Sequence, residues 1–316
     1  MLISVQKASE KYKIPDTNIY EMIEDGRIKN FGTEKRKQIN LSEFLKQIFL
    51  VITIYNHKGG VGKTSSAREM IYYFANKGYK VLGIDTDPQS NLTDSLPGIS
   101  YNKPSLNKFL EKFTIVETKM AILNEITQTI SENIDIIPAS QELTLRLNLQ
   151  AEEIIAMKDF LFNFFNTRKY QIIIIDTPPN VSGLSKFGLL LAHWVFIPVI
   201  PDKFSHDGIS FTLERMKEII RFNENFIDRM GFFSKMKANE STIKKMYAEM
   251  LKESLFENYF NNYIPETRYI DEIHHLKGDL FKTYKKDEYI EKIIKFYEEV
   301  EAYIYNGDKK WIDVIF

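Results

Sequence analysis

The run Phe49-Leu50-Val51-Ile52-Thr53-Ile54-Tyr55 leads into His57-Lys58-Gly59-Gly60-Val61-Gly62-Lys63-Thr64-Ser65, and helix-forming residues follow. A strand that feeds a glycine-rich turn and then a helix constrains this chain more than any other segment. Glycines let the backbone turn tightly, so that successive N–H groups point inward at an anion. The positive end of the following helix adds to the attraction. In that setting Lys63 reaches the β- and γ-phosphates of a nucleotide, and the Thr64 hydroxyl is placed to ligate Mg²⁺. The chain holds only 14 glycines in 316 residues, so the cluster Gly59, Gly60 and Gly62 points to a purpose. A glycine-rich turn without nucleotide is the alternative, and the strand–loop–helix context favours the phosphate reading.

Beyond residue 48 further short apolar runs appear: Val81-Leu82-Gly83-Ile84, Ile134-Asp135-Ile136-Ile137, Ile172-Ile173-Ile174-Ile175 and Val195-Phe196-Ile197-Pro198-Val199. Amphipathic stretches separate most of them. Strands apolar on both faces, alternating with helices, predict an α/β fold: a mostly parallel, twisted sheet flanked by helices. The spacing of Tyr289, Ile290, Ile293, Ile294, Tyr297 and Val300 predicts an amphipathic surface helix over 288–305. Two of the strands end in carboxylates. Asp85-Thr86-Asp87-Pro88-Gln89-Ser90-Asn91-Leu92-Thr93 follows the second, and Asp176-Thr177-Pro178-Pro179 follows the run of isoleucines. Asp85 and Asp87, two apart on a strand end, are expected to face the same side. Ligands of such sheets bind at the carboxyl ends of the strands.

The general phosphate-loop pattern G-x-x-x-x-G-K-[ST] lacks its first glycine here. His57 stands in that place and reads as a neutral spacer, while Lys58-Gly59-Gly60 precedes Val61-Gly62-Lys63. This variant resembles the deviant Walker A motif, K-G-G-x-G-K-[ST], of the ParA/MinD group of P-loop ATPases. Residues 85–93 resemble that group's first switch, D-x-D-P-Q-x-N-x-T, with Ser90 where glycine is usual. Ile172 to Asp176 is similar to a Walker B strand, and Pro178 to Ser185 to the second switch.

The resemblance implies ATP and Mg²⁺, with Gly59, Gly60, Val61, Gly62, Lys63, Thr64 and Ser65 holding the phosphates. It implies that Lys58 crosses a dimer interface to the partner's nucleotide, that Asp87 orients or deprotonates the attacking water, and that Asp176 holds Mg²⁺ through water. Asp85 would support the metal shell or the loop. Tyr263-Ile264-Pro265-Glu266-Thr267-Arg268 resembles the segment that borders the base, which makes Pro265 a nucleotide contact, although Glu266 stands where a basic residue is common.

Residues 1–47 read as a separate unit. Ser4 to Tyr12 predicts a helix with Val5, Ala8 and Tyr12 inward. A turn at Lys13-Ile14-Pro15 follows, and Asp16 is expected to cap a second helix with Ile19, Met22 and Ile23 on one face. A basic hairpin through Lys35-Arg36-Lys37 comes next. Asn40 then opens a third helix, with Glu43 as capping-box partner. This is a winged helix-turn-helix layout, and it resembles the MerR-type DNA-binding unit. The alternative is a small helical cap or a dimerisation arm. Thr17, Asn18 and Tyr20 would read bases, and Lys35, Arg36 and Lys37 would grip phosphates. Arg215, Lys217, Arg221, Lys235, Lys237, Lys244 and Lys245 could form a further DNA surface on the dimer.

The chain has no cysteine, which excludes disulfides, iron–sulfur clusters and thiolate zinc sites. Within the group resembled, that removes the nitrogenase iron protein and the cluster carriers. The start shows no signal-peptide pattern. The longest near-apolar run, Leu189 to Pro201, is far short of the ~20 residues that span a bilayer. The tail Lys309-Lys310-Trp311-Ile312-Asp313-Val314-Ile315-Phe316 could be a short interfacial anchor, but it contains Asp313 and is small. The expectation is a cytoplasmic, nucleoid-associated DNA-partition ATPase. Residues 1–47 bind DNA, residues 48–316 form the ATPase, and ATP assembles a homodimer that holds non-specific DNA. A ParB-like partner triggers release, and no membrane is expected. A Min-type membrane ATPase and an ATP-switched transcriptional repressor are the alternatives.

Overall fold

The structure, a computed structural model, describes residues 2–45, 47–113, 119–200, 205–237, 245 and 259–306. In chain order the elements are β1 (Leu2–Ser4), α1 (Val5–Tyr12), α2 (Asp16–Glu24), β2 (Gln38–Asn40), α3 (Leu41–Leu45), β3 (Leu50–Ile54), α4 (Lys63–Asn76), β4 (Val81–Asp85), α5 (Asn91–Asp94), α6 (Leu106–Lys112) and α7 (Lys119–Ile126). Then come β5 (Gln128–Ser131), β6 (Ile134–Ile137), α8 (Ala151–Thr167), β7 (Ile172–Asp176), α9 (Gly183–Leu191), β8 (Trp194–Val199), α10 (Ser205–Ile220), β9 (Asp228–Phe233), α11 (Arg268–Leu276), α12 (Leu280–Thr283) and α13 (Glu288–Asn306).

Seven strands form one sheet in the order β5-β6-β4-β7-β3-β8-β9, and only the β5–β6 pair is antiparallel. Every residue of β3, β4, β6, β7 and β8 is buried. That follows from their unbroken apolar character, because helices cover both faces of the sheet. All five strands expected from the apolar runs are present. The two edge strands were not expected. Gln128-Thr129-Ile130-Ser131 is mostly polar, and Asp228-Arg229-Met230-Gly231 opens β9 with charge and glycine.

At the N-terminus α1 buries Val5, Ala8 and Tyr12, and α2 buries Ile19 and Met22. Pro15, not Asp16, occupies the N-cap of α2 and makes no side-chain cap bond. Asp16 instead sits in the first turn, where its charge still favours the helix dipole. β1 and β2 pair antiparallel, and Asn30 bridges to Ile39. The turn between Asn30 and Ile39 needs glycine at position 32, where a Cβ would lie 2.1 Å from the Arg36 carbonyl oxygen.

The apolar core of these residues continues into the sheet's own helices. Tyr12 donates to the Tyr305 carbonyl of α13 at 3.3 Å and meets Phe44 edge-on. Further back, α13 donates from the Tyr297 hydroxyl to the Ser66 carbonyl of α4 at 2.9 Å, and its Glu301 accepts from Tyr73 and Tyr79. Among the described residues no helix is long and apolar enough to cross a membrane.

Candidate nucleotide site

β3 lies between β7 and β8, so the loop that leaves its carboxyl end emerges where the sheet's connections diverge to opposite sides. Gly62 takes φ 85°, a left-handed conformation that glycine adopts without strain, and caps the start of α4 at Lys63. The Lys63 ammonium is buried and donates to the Lys58 carbonyl at 3.0 Å. Burial pushes its pKa below the usual lysine range, while Asp176 and Asp87 pull it back up. The Lys58 N–H donates to Asn56 Oδ1 at 2.9 Å. The loop's other wall is the end of β9, where the Ser234 hydroxyl donates to the Val61 carbonyl at 2.6 Å.

The carboxylates gather at the ends of β4 and β7, where Asp85 and Asp176 are register partners. Asp85 is fully buried. It accepts from the Asp87 N–H (3.0 Å), the Thr93 N–H (2.9 Å) and the Thr93 hydroxyl (2.7 Å). It therefore serves the loop, the second of the two roles expected of it, and its acceptor sites are largely spent there. Burial pushes its pKa up to about 6 in spite of those bonds. Asp87 does not share a pleat with Asp85. It lies past the strand end, folded back by its N–H bond, and its Oδ1 accepts from the Gln89 N–H at 2.9 Å. Ser90 takes φ 58°, the left-handed position that accounts for glycine being usual there.

Asp176 is buried, and neither of its oxygens has a hydrogen-bond partner. Burial and the nearby Asp85 drive its pKa well above the usual carboxylate range. The Thr64 hydroxyl and Lys63 offset this only in part, and Thr64 falls outside hydrogen-bonding geometry. An orphaned carboxylate beside a hydroxyl at a helix start offers the hard oxygen donors that Mg²⁺ takes, so Asp176 and Thr64 fit the ion. Among the described residues no group of three or more His, Asp or Glu could hold a metal. Mg²⁺ sites commonly use one or two protein carboxylates and complete their shell with phosphate oxygens and water. When bound, the ion would neutralise charge on the phosphates.

Pro265 is buried on a strand-like segment beside Met236, and the next residue, Glu266, pairs with Lys237 at 2.9 Å. A cavity of about 350 Å³ flanks the start of α4, between Thr64 and Ser65 and a wall of Asn91, Asp94, Ser95, His274 and His275. A larger cleft of about 620 Å³ lies against Thr93, Ser105 and Ala139 and contains no phosphate-loop residue, so size alone does not mark the site.

Sequence reading missed Thr93, Thr212, Ser234 and the two histidines. Only Thr93 stood in a recognisable pattern; the others come from distant segments without one. His57 is no spacer. Its Nδ1 bonds the Thr212 hydroxyl of α10, and its ring meets Phe211 edge-on at 4.7 Å.

Thr17, Asn18, Tyr20, Lys35 and Arg36 are exposed, and Lys37 rests over the Tyr20 ring at 4.9 Å. Of the basic residues expected on a DNA surface, Arg215 and Lys237 are paired with Glu218 and Glu266, and Lys217, Arg221, Lys235 and Lys245 are exposed. Lys244 and the tail 309–316 lie outside the described residues.

The sequence profile of the AAA domain family matches residues 49–228. The chromosome-partitioning ATPase Soj of Treponema pallidum is 29% identical over 217 residues, covering 68% of this chain and 82% of Soj. The virulence plasmid ParA family protein pGP5-D of Chlamydia trachomatis is 30% identical over 205 residues, 64% of this chain and 74% of that protein. Among solved structures, cobyrinic acid a,c-diamide synthase from Mycobacterium smegmatis superposes with a TM-score of 0.65 at 21% identity, covering 83% of this chain and 97% of that one; at that identity the likeness speaks for the fold. With its phosphate loop, switch carboxylates and these relatives, the chain belongs to the AAA domain family, in its ParA/MinD group of P-loop ATPases.

Proposed function

We propose that this protein is a Mg²⁺-dependent DNA-partition ATPase. The observation that carries the reading is the set Lys58, Lys63, Asp87 and Asp176 at the carboxyl edge of one parallel sheet. Lys63 binds phosphate, Asp176 with Thr64 holds the ion, and Asp87 orients or deprotonates the attacking water. Asp85 fixes the loop that carries Asp87. Lys58 reaches the nucleotide of a second copy, so the dimer is complete only when both sites are filled.

The DNA cargo rests on the names of the relatives and on the N-terminal layout. There α2 presents Thr17, Asn18 and Tyr20 and the hairpin presents Lys35 and Arg36, as a winged helix-turn-helix would. That unit also supports the second reading, an ATP-switched repressor of its own operator. A ParB-like partner would stimulate hydrolysis and release DNA. The protein would then be found on the nucleoid.

Co-sedimentation with DNA of unrelated sequence tests the reading. The parent chain is expected to pellet with DNA only when ATP and Mg²⁺ are present. Lys58→Gln should bind ATP, remain monomeric and stay in the supernatant. A Lys58→Gln protein that dimerises and pellets like the parent would refute the cross-subunit role. Replacing the exposed Thr17, Asn18 and Tyr20 by Ala should abolish footprinting of a specific operator while ATPase activity persists.

A further inference from the structure

The peptide unit of Lys58 is held at both ends. Its carbonyl accepts from the Lys63 ammonium at 3.0 Å, and its N–H donates to Asn56 Oδ1 at 2.9 Å. The orientation of the Asn56 amide is forced. The Lys58 N–H can only donate and the Pro198 carbonyl can only accept, so Oδ1 faces the first and Nδ2 donates to the second at 2.8 Å. The same Oδ1 lies 3.1 Å from the hydroxyl of Thr212, a fully buried residue of α10. That hydroxyl also lies 2.9 Å from the Gly208 carbonyl and in contact with His57 Nδ1.

One hydroxyl has one proton to give. The Gly208 carbonyl and Asn56 Oδ1 can only accept, whereas His57 Nδ1 accepts or donates according to its tautomer. For the hydroxyl to order Asn56 its proton must go to Oδ1, and His57 Nδ1 must then donate to the hydroxyl oxygen, which requires the Nδ1–H tautomer. Burial, with Lys63 and Lys58 nearby, lowers the His57 pKa.

We propose that His57, Asn56 and Thr212 are positioning residues that set the Lys58 peptide and tie the phosphate loop to α10. His57 orders the Thr212 hydroxyl, the hydroxyl orders Asn56, and Asn56 orders the backbone that presents both the Lys58 side chain and the carbonyl seat of Lys63. The proposal rests on the role given to Lys58 above for its effect on turnover, but the network itself does not depend on that role.

Two measurements therefore need no hydrolysis. Long-range ¹H–¹⁵N spectra of the parent should show His57 protonated at Nδ1. Amide hydrogen exchange at Lys58 should rise ~10-fold or more in Thr212→Val, which keeps the shape and deletes the hydroxyl, and return to within ~3-fold of the parent in Thr212→Ser. In steady-state assays Thr212→Val should lower kcat ~10-fold while KM for ATP moves less than ~3-fold, with Thr212→Ser again restoring it.

An Nε2–H tautomer, or unchanged Lys58 exchange in a folded Thr212→Val, overturns the network. Raised exchange with parental kcat, or an equal loss in Thr212→Ser, overturns the link to turnover. A parent chain that neither binds nor hydrolyses ATP sinks the ATPase reading instead, and the tautomer and exchange results then still decide the network.

Discussion

Asp176→Asn should stabilise the nucleotide-free protein while disabling it. Asp85 and Asp176 face each other across β4 and β7 as register partners, both fully buried, and the Asp176 oxygens have no hydrogen bond to lose. Neighbouring strands lie about 5 Å apart. Two ionised carboxylates at that separation repel by roughly 3 kcal/mol at an effective dielectric of about 20. The amide removes that repulsion and leaves the three bonds of Asp85 untouched.

The gain depends on pH. Burial, and then the nearby Asp85, holds the Asp176 pKa well above the usual carboxylate range, so the folded parent keeps a proton there that the unfolded chain has already released, and the variant has no such group. Stability from that proton is complete below the ordinary carboxylate range and is lost as pH rises through the raised Asp176 pKa, a loss the variant does not suffer. Urea unfolding in chelator at pH 7.5 should therefore place Asp176→Asn about 2–3 kcal/mol above the parent, and the difference should shrink towards pH 5. Adding Mg²⁺ and ATP should raise the midpoint of the parent and not of the variant. A variant less stable than the parent at pH 7.5 would refute the repulsion. Equal stabilisation of both by Mg²⁺ and ATP would refute the metal role of Asp176.

Lys63→Ala should abolish binding of a fluorescent ATP analogue. Asp87→Ala should retain binding and lose ~100-fold or more in turnover, as removal of a base or water-orienting group does; parental turnover would reassign that role. Ser90→Gly should raise stability by at most about 1 kcal/mol in urea unfolding, since relief of the left-handed strain at φ 58° is partly cancelled by the freer unfolded chain.

The central strands and the phosphate loop were legible because each signal is local. A continuous apolar run means burial on both faces, and glycine spacing with lysine and a hydroxyl means a helix start that faces an anion. The first helix, and the buried Ile19 and Met22 of the second, followed from periodicity in the same way, while the N-cap of the second did not. What could not be read depends on distant partners. The edge strands β5 and β9 exist because β6 and β8 offer them a free side, not because their own residues demand it. Asp85 and Asp87 looked like a pair on one pleat, but the strand stops at Asp85, and the loop's own N–H groups redirect its carboxylate. His57 looked inert because its partner, Thr212, lies 155 residues away.

The clasp between Tyr12 and Tyr305 has a consequence for how the chain is made. Those residues are 293 positions apart, yet they share one apolar cluster with Phe44 and the back of α4. A ribosome releases the first 45 residues long before α13 exists. Until then Tyr12, Phe44 and their neighbours have no cover on that side, and Tyr73 and Tyr79 have no Glu301 to bond. Cover for that side comes from contacts of very long sequence separation, which form only once α13 has been made. The helix that begins at the phosphate loop and the N-terminal unit therefore share one late-made cover, and a change in α13 reaches both.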